Sequence, residues 1–68
     1  MGFSVKYLLV DIVEGEIVES ADHWETLVDK GRLSNIYHDL AIVSNDTKKL
    51  VGYVVQDKAD IAARLGEI

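Results

Sequence analysis

The sequence predicts an α+β domain: a four-stranded antiparallel sheet with two helices packed on one face, in the order β-β-α-β-β-α. Three observations carry this. Two stretches rich in β-branched and aromatic residues, "FSVKYLLVDIV" and "IYHDLAIVS", each run into turn chemistry and then a second apolar stretch. A segment with helical spacing of apolar residues follows each pair. The 68 residues include 49% hydrophobic side chains and no proline, which is a globular composition with room for one domain, residues 1–68.

The elements follow in order. Residues 4–13 read as a long first strand, because Val5, Tyr7 and Leu9 alternate with Leu8, Val10 and Ile12 and both faces are apolar. Glu14-Gly15 is a two-residue hairpin signal in which glycine supplies a positive φ, and "EIVES" returns as a short second strand. Asp22 with Glu25 three residues on fits a capping box, with Ser20 as an alternative cap. Trp24, Leu27 and Val28 form one stripe of a helix over 22–31, with Lys30 in its last turn and Gly31 placed to end it. A second hairpin is expected over 37–44 and 48–56 around "NDT", a turn without glycine. Asp57 caps a last helix with Asp60 at its third position, Ile61, Ala62 and Leu65 face inward, and Gly66 ends it. The two β-β-α halves echo each other in outline, with no evident residue-level match.

Composition excludes several classes. With no cysteine there is no disulfide and no thiolate metal site. A domain this small has a thin core and gains from self-association. The start lacks the basic n-region of a signal peptide, "MGFSVK" is only a loose match to a myristoylation signal, and no apolar run reaches the length of a membrane span. A cytoplasmic protein without membrane contact is expected. The net charge of −5 opposes direct nucleic-acid binding. It is also regional: residues 11–29 hold seven acids and no base, while the rest of the chain is net positive by two.

Chemistry-bearing residues are few. Glu19, Asp22, His23 and Glu25 lie close together, but their spacing matches neither an HExxH pair nor a calcium loop, so no metal site is expected. His38 and Asp39 adjoin on an expected strand and would point to opposite faces. No serine sits in a nucleophile elbow, and no glycine-rich phosphate loop exists. Asp11, flanked by Val10 and Ile12, is the best candidate for a carboxylate of altered acidity; its simpler role is an edge charge against wrong strand pairing. The expectation is no catalytic, cofactor-binding or metal-binding residue. The strands are apolar on both faces, and helices cover only one. The other face is expected to be covered by a second copy or by a partner protein, with Tyr7, Leu9, Tyr53 and Val55 as the self-association residues.

The stretch "DLAIVSNDTKKLVGYVVQDKADIAARLG" resembles the second half of a CBS (cystathionine-β-synthase) domain, and the resemblance spans residues 21–66. Leu40–Val43 match the family's first strand, Lys49–Val55 the second and "DKADIAARL" the closing helix. The resemblance implies tandem units that bind adenine nucleotides through a Thr or Ser after the second strand and an Asp three residues later. Here those positions hold Val55 and Lys58, so no ligand residue carries over, and only one unit is present.

Three functions are therefore carried forward. The leading one is a small acidic, non-enzymatic regulatory protein, homodimeric, of the kind that serves bacteria or phages as an inhibitor or accessory factor. It would hold a partner protein's basic surface on an acidic face made by Glu14, Glu16, Glu19 and Asp29. The alternatives are an adenine-nucleotide sensor built from CBS-like halves, and a small enzyme using Asp11, His23 or His38.

Overall fold

A computed structural model of the chain describes residues 5–66. Its elements are β1 (Tyr7–Asp11), β2 (Glu16–Ala21), α1 (Trp24–Arg32), a 3-10 turn (Tyr37–Asp39), β3 (Leu40–Ser44), β4 (Leu50–Tyr53) and α2 (Lys58–Arg64). The strands form one antiparallel sheet in the order β2-β1-β3-β4. The α+β architecture in the order ββαββα is thus the one the periodicities predict.

Both helices close on one side of this sheet. Leu9, Leu40, Ile42 and Val51 from the strands, Trp24, Leu27 and Val28 from α1, and Ile61 from α2 form one buried cluster with Val54. The molecule extends 34 × 31 × 18 Å, and the short dimension accommodates one sheet and one helical layer. The register places Leu8 and Val10, Ile17 and Ser20, Ala41 and Val43, and Leu50 and Tyr53 on the opposite side. No charged residue is among these eight, and no described helix packs on this side; Ile17, Ser20 and Tyr53 are exposed, Leu8, Val10, Val43 and Leu50 half-buried, and Ala41 is buried among its neighbours.

The first hairpin differs from expectation in its turn. β1 ends at Asp11 because the Asp11 carboxylate, 8% exposed, accepts hydrogen bonds from the backbone N–H of Val13 (3.0 Å) and Glu14 (3.2 Å). The chain turns over Ile12–Gly15, four residues rather than two, and Gly15 N–H donates to the Asp11 carbonyl at 2.7 Å. Gly15 does take the positive φ, +72°.

α1 starts and ends differently from its sequence signals, whereas α2 starts where they place it. His23, not Asp22 or Ser20, precedes α1, and its side chain makes no cap hydrogen bond. Gly31 lies inside α1 and does not terminate it. A Cβ there would sit 2.8 Å from Val54 Cγ2, so the glycine lets the helix approach the sheet. Gly52 does the same for α2: a Cβ would meet Ile61 Cγ1 at 2.8 Å. Asp57 stands at the N-cap of α2 and Asp60 at its third position, but the Asp57 side chain caps nothing; its carbonyl accepts the N–H of Asp60 and Ile61. Arg32 joins the layers by donating from Nε to the Val54 carbonyl (3.3 Å) and from Nη2 to the Gln56 carbonyl (2.7 Å).

In the second hairpin, residues 37–39 form the 3-10 turn and not the start of a strand, and β4 is four residues, shorter than the expected 48–56. Lys48 occupies the left-handed region at φ +59°, the position a glycine would ordinarily take.

The two halves match residue by residue at a spacing of 33 (11 to 44, 15 to 48, 18 to 51), a match not evident in the bare sequence. The Asp11 carbonyl accepts from Gly15 N–H as the Ser44 carbonyl accepts from Lys48 N–H at 2.8 Å, and Gly15 and Lys48 share the positive φ. Each hairpin then carries one unpaired residue, Val18 in β2 and Val51 in β4, at a bulge. Leu9 and Ile42 pair at the centre of the sheet, so β1 and β3 form the inner pair and β2 and β4 the two edges. The molecule has an internal pseudo-two-fold axis normal to the sheet.

Candidate interaction surface

The acidic segment becomes the β1–β2 hairpin, one edge of the sheet. Every residue of β2 is exposed except Ala21, which is half-buried. Pairing with β1 sorts its side chains. Glu16 opposite Asp11 and Glu19 opposite Leu9 lie on the helix side, while Ile17 opposite Val10 and Ser20 opposite Leu8 lie on the uncovered side. Glu14 sits in the turn beside exposed Ile12 and Val13. The hairpin is therefore both acidic and apolar at its tip, with Ile17 64% and Val13 66% exposed.

The four acids expected to form one face do not all meet. Glu19 pairs with Lys30 at 3.5 Å across exposed surface, which draws it toward α1. Asp29, the preceding residue on that helix, pairs instead with Lys58 of α2 at 2.8 Å. It points to the seam between the helices and does not join the hairpin. Glu14 and Glu16 make no ion pair among the described residues. The hairpin thus keeps Glu14 and Glu16 without an ion pair among the described residues, and Glu19 beside them paired with Lys30.

The residues expected to mediate self-association split by strand parity. Tyr53 (39% exposed) is on the uncovered face and Val55 (49%) is exposed just beyond β4. Leu9, 2% exposed, is buried beneath the helices, and Tyr7 packs against the same core, so this pair is corrected. Since Leu9 pairs with Ile42 under the helices, Leu8 and Val10 hold the outer face of β1. The sequence alternation identified two apolar faces without saying which one the helices take; in the fold the helices cover the face of Leu9, Ile42 and Gly52.

The three candidate catalytic residues are not assembled. Asp11 lies at one end of β1, with its carboxylate engaged by turn amides, and His23 lies beyond the other end, two residues after Ala21, which pairs with Tyr7. The His38 ring stacks on that of Tyr37, with centroids 3.9 Å apart. A shallow cleft of about 180 Å³ at the start of α1 is lined by Lys6, Tyr7, Asp22, His23, Trp24 and Glu25. Among the described residues no group of three or more His, Cys, Asp or Glu is arranged to hold a metal ion. No helix among them is long and apolar enough to cross a membrane. Where the CBS pattern places its nucleotide ligands, Val55 is exposed and Lys58 is engaged with Asp29.

No protein-family model, curated protein or solved structure matches the chain.

Proposed function

We propose that this protein is a non-enzymatic regulatory module that binds a partner protein with a basic surface through the β1–β2 hairpin, and that it works as a homodimer. The observation that carries the reading is the hairpin itself: an edge strand exposed from Glu16 to Ser20, with Glu16 and Glu19 on its helix side, Ile17 on the other, and Glu14 beside exposed Ile12 and Val13 in the turn. Carboxylates attract and orient a cationic partner over a range set by ionic strength, and the apolar side chains supply contact area once it docks. Self-association rests on the uncovered sheet face. Its eight strand residues are uncharged, so it complements a like face and not the basic partner proposed for the hairpin.

The test compares the wild-type chain with Glu14→Lys/Glu16→Lys as bait in host lysate at rising salt. The reading expects a partner lost both in the variant and at high salt. A partner retained equally by the charge-reversed bait counts against the hairpin as the binding surface. Melting temperature with AMP or ATP separates the sensor reading, because a ligand specific to the folded state raises it.

A further inference from the structure

We infer that the partner engages β2 as an added fifth strand, so the recognised element is an extended segment alternating basic and apolar residues. This deepens the proposed function and rests on it. The two sheet edges are related by the internal two-fold, yet they differ in how they end. On β4, Val54 N–H donates inward to the Leu40 carbonyl, so the N–H of Tyr53 points outward. That outward amide is already taken by Gln56 Oε1 at 2.8 Å. Arg32 occupies the Val54 and Gln56 carbonyls just beyond, and the strand is four residues long. The β4 edge is closed.

β2 has no counterpart to Gln56. It is six residues long, and among the described residues its backbone makes no hydrogen bond to a side chain or to any segment other than β1. Unpaired edge N–H and C=O groups are a template for strand addition, and proteins ordinarily guard them with lysine, proline or a covering element. Here the guard is two glutamates and a bulge at Val18. A second copy pairing β2 to β2 antiparallel about Ile17–Val18 would bring Glu16 against Glu19, which destabilises that register. Glu16, which makes no ion pair among the described residues, favours a strand that places Lys or Arg beside it on the helix side, whereas Glu19 already holds Lys30. On the uncovered side the incoming strand meets Ile17, then Ser20, and this calls for apolar or β-branched residues between the bases. Main-chain bonds would supply affinity and alternate side chains the selectivity, as in other strand-addition complexes.

The probe is a fluorescein-labelled peptide of about ten residues alternating Lys and Val, long enough to span a six-residue edge. Two controls accompany it: the same composition in blocked order, and the alternating sequence N-methylated at every second amide, which removes donors and keeps the charge. Fluorescence anisotropy with the full chain should show the alternating peptide binding about tenfold more tightly than either control. Glu16→Lys should weaken it by a similar factor, and hydrogen exchange at β2 amides should slow on binding. Equal affinity for the N-methylated peptide, or unchanged β2 exchange, overturns strand addition. If a basic protein is still captured in a Glu14- and Glu16-dependent way, the proposed function survives that result; if neither peptide nor protein binds, both fall.

Discussion

At the scale of single residues, the side chain with most hidden work is Asp11. The sequence offers it as a carboxylate stranded in an apolar strand, a description that invites chemistry. The fold uses its Oδ1 as the acceptor for two turn amides, which is why β1 stops there. Asp11→Asn keeps an oxygen acceptor and should cost under about 0.5 kcal/mol, whereas Asp11→Ala leaves two N–H groups without it and should cost about 1–2 kcal/mol, read by urea denaturation. Equal losses in both variants would mean that charge, not turn closure, is what Asp11 contributes. Lys48 provides the converse case. It holds a left-handed backbone that costs an ordinary residue about 1 kcal/mol, and its counterpart in the first hairpin is Gly15. Lys48→Gly should therefore leave stability unchanged or raise it by up to about 0.5 kcal/mol, once glycine's greater unfolded-state freedom is counted. Its midpoint falling below wild type would show that the Lys48 Nζ bond to Asn45 Oδ1, 2.7 Å and exposed, outweighs the backbone cost.

At the scale of elements, α1 and α2 are held to the sheet by close approach as much as by apolar stripes. Gly31→Ala illustrates the balance. Alanine favours a helix interior by about 1 kcal/mol, but its methyl would enter the space of Val54, which is fully buried and stiff at χ1. Overpacking of this kind typically costs about 1–3 kcal/mol, so a net loss near 1 kcal/mol is expected, seen as a lower denaturation midpoint with helical circular dichroism retained. An unchanged or higher midpoint would mean that α1 lifts away at no cost. This is also where legibility in the sequence stops. The stripes Trp24–Leu27–Val28 and Ile61–Ala62–Leu65 are visible as periodicities, and they set the existence and inward face of both helices. Their ends are not, because a capping box at Asp22 competes with tertiary placement, and His23 stands at the cap instead. Gly31 reads as a stop signal until Val54, 23 positions away in sequence, is known to lie beneath it. The repeat over the two hairpins is hidden for a similar reason. It is carried by backbone conformation at Gly15 and Lys48 and by bulges at Val18 and Val51, and these conserve shape with little residue identity. The acidic hairpin was legible as composition; that Asp29 leaves it for Lys58 was not, since ion pairing between helices depends on how they pack.

At the scale of the whole molecule, one sheet and one helical layer leave a broad surface unaccounted for. A domain of this size hides only about 60% of the area its unfolded chain exposes, so its apolar outer face is a substantial share of what association still has to gain. Tyr53 lies at one margin of that face and Ile17 at the other, with Val10 and Ala41 between them in register across the strands. Ala41 is already buried in the single chain and Val10 half-buried, so a second copy packed there would cover chiefly Ile17 and Tyr53, without desolvating any charge in the row. Light scattering should then give twice the 7.6 kDa chain mass, and the melting temperature should rise with protein concentration. Tyr53→Lys places a cation on the face while leaving the core beneath the helices untouched, and it should return the mass to that of one chain with the fold intact by circular dichroism. A monomer at every concentration tested would remove the homodimer and leave the hairpin as the surface on which function rests. A dimer indifferent to Tyr53→Lys but strengthened by charge reversal at Glu16 would move the contact from the face to the β2 edge, in direct competition with the added strand.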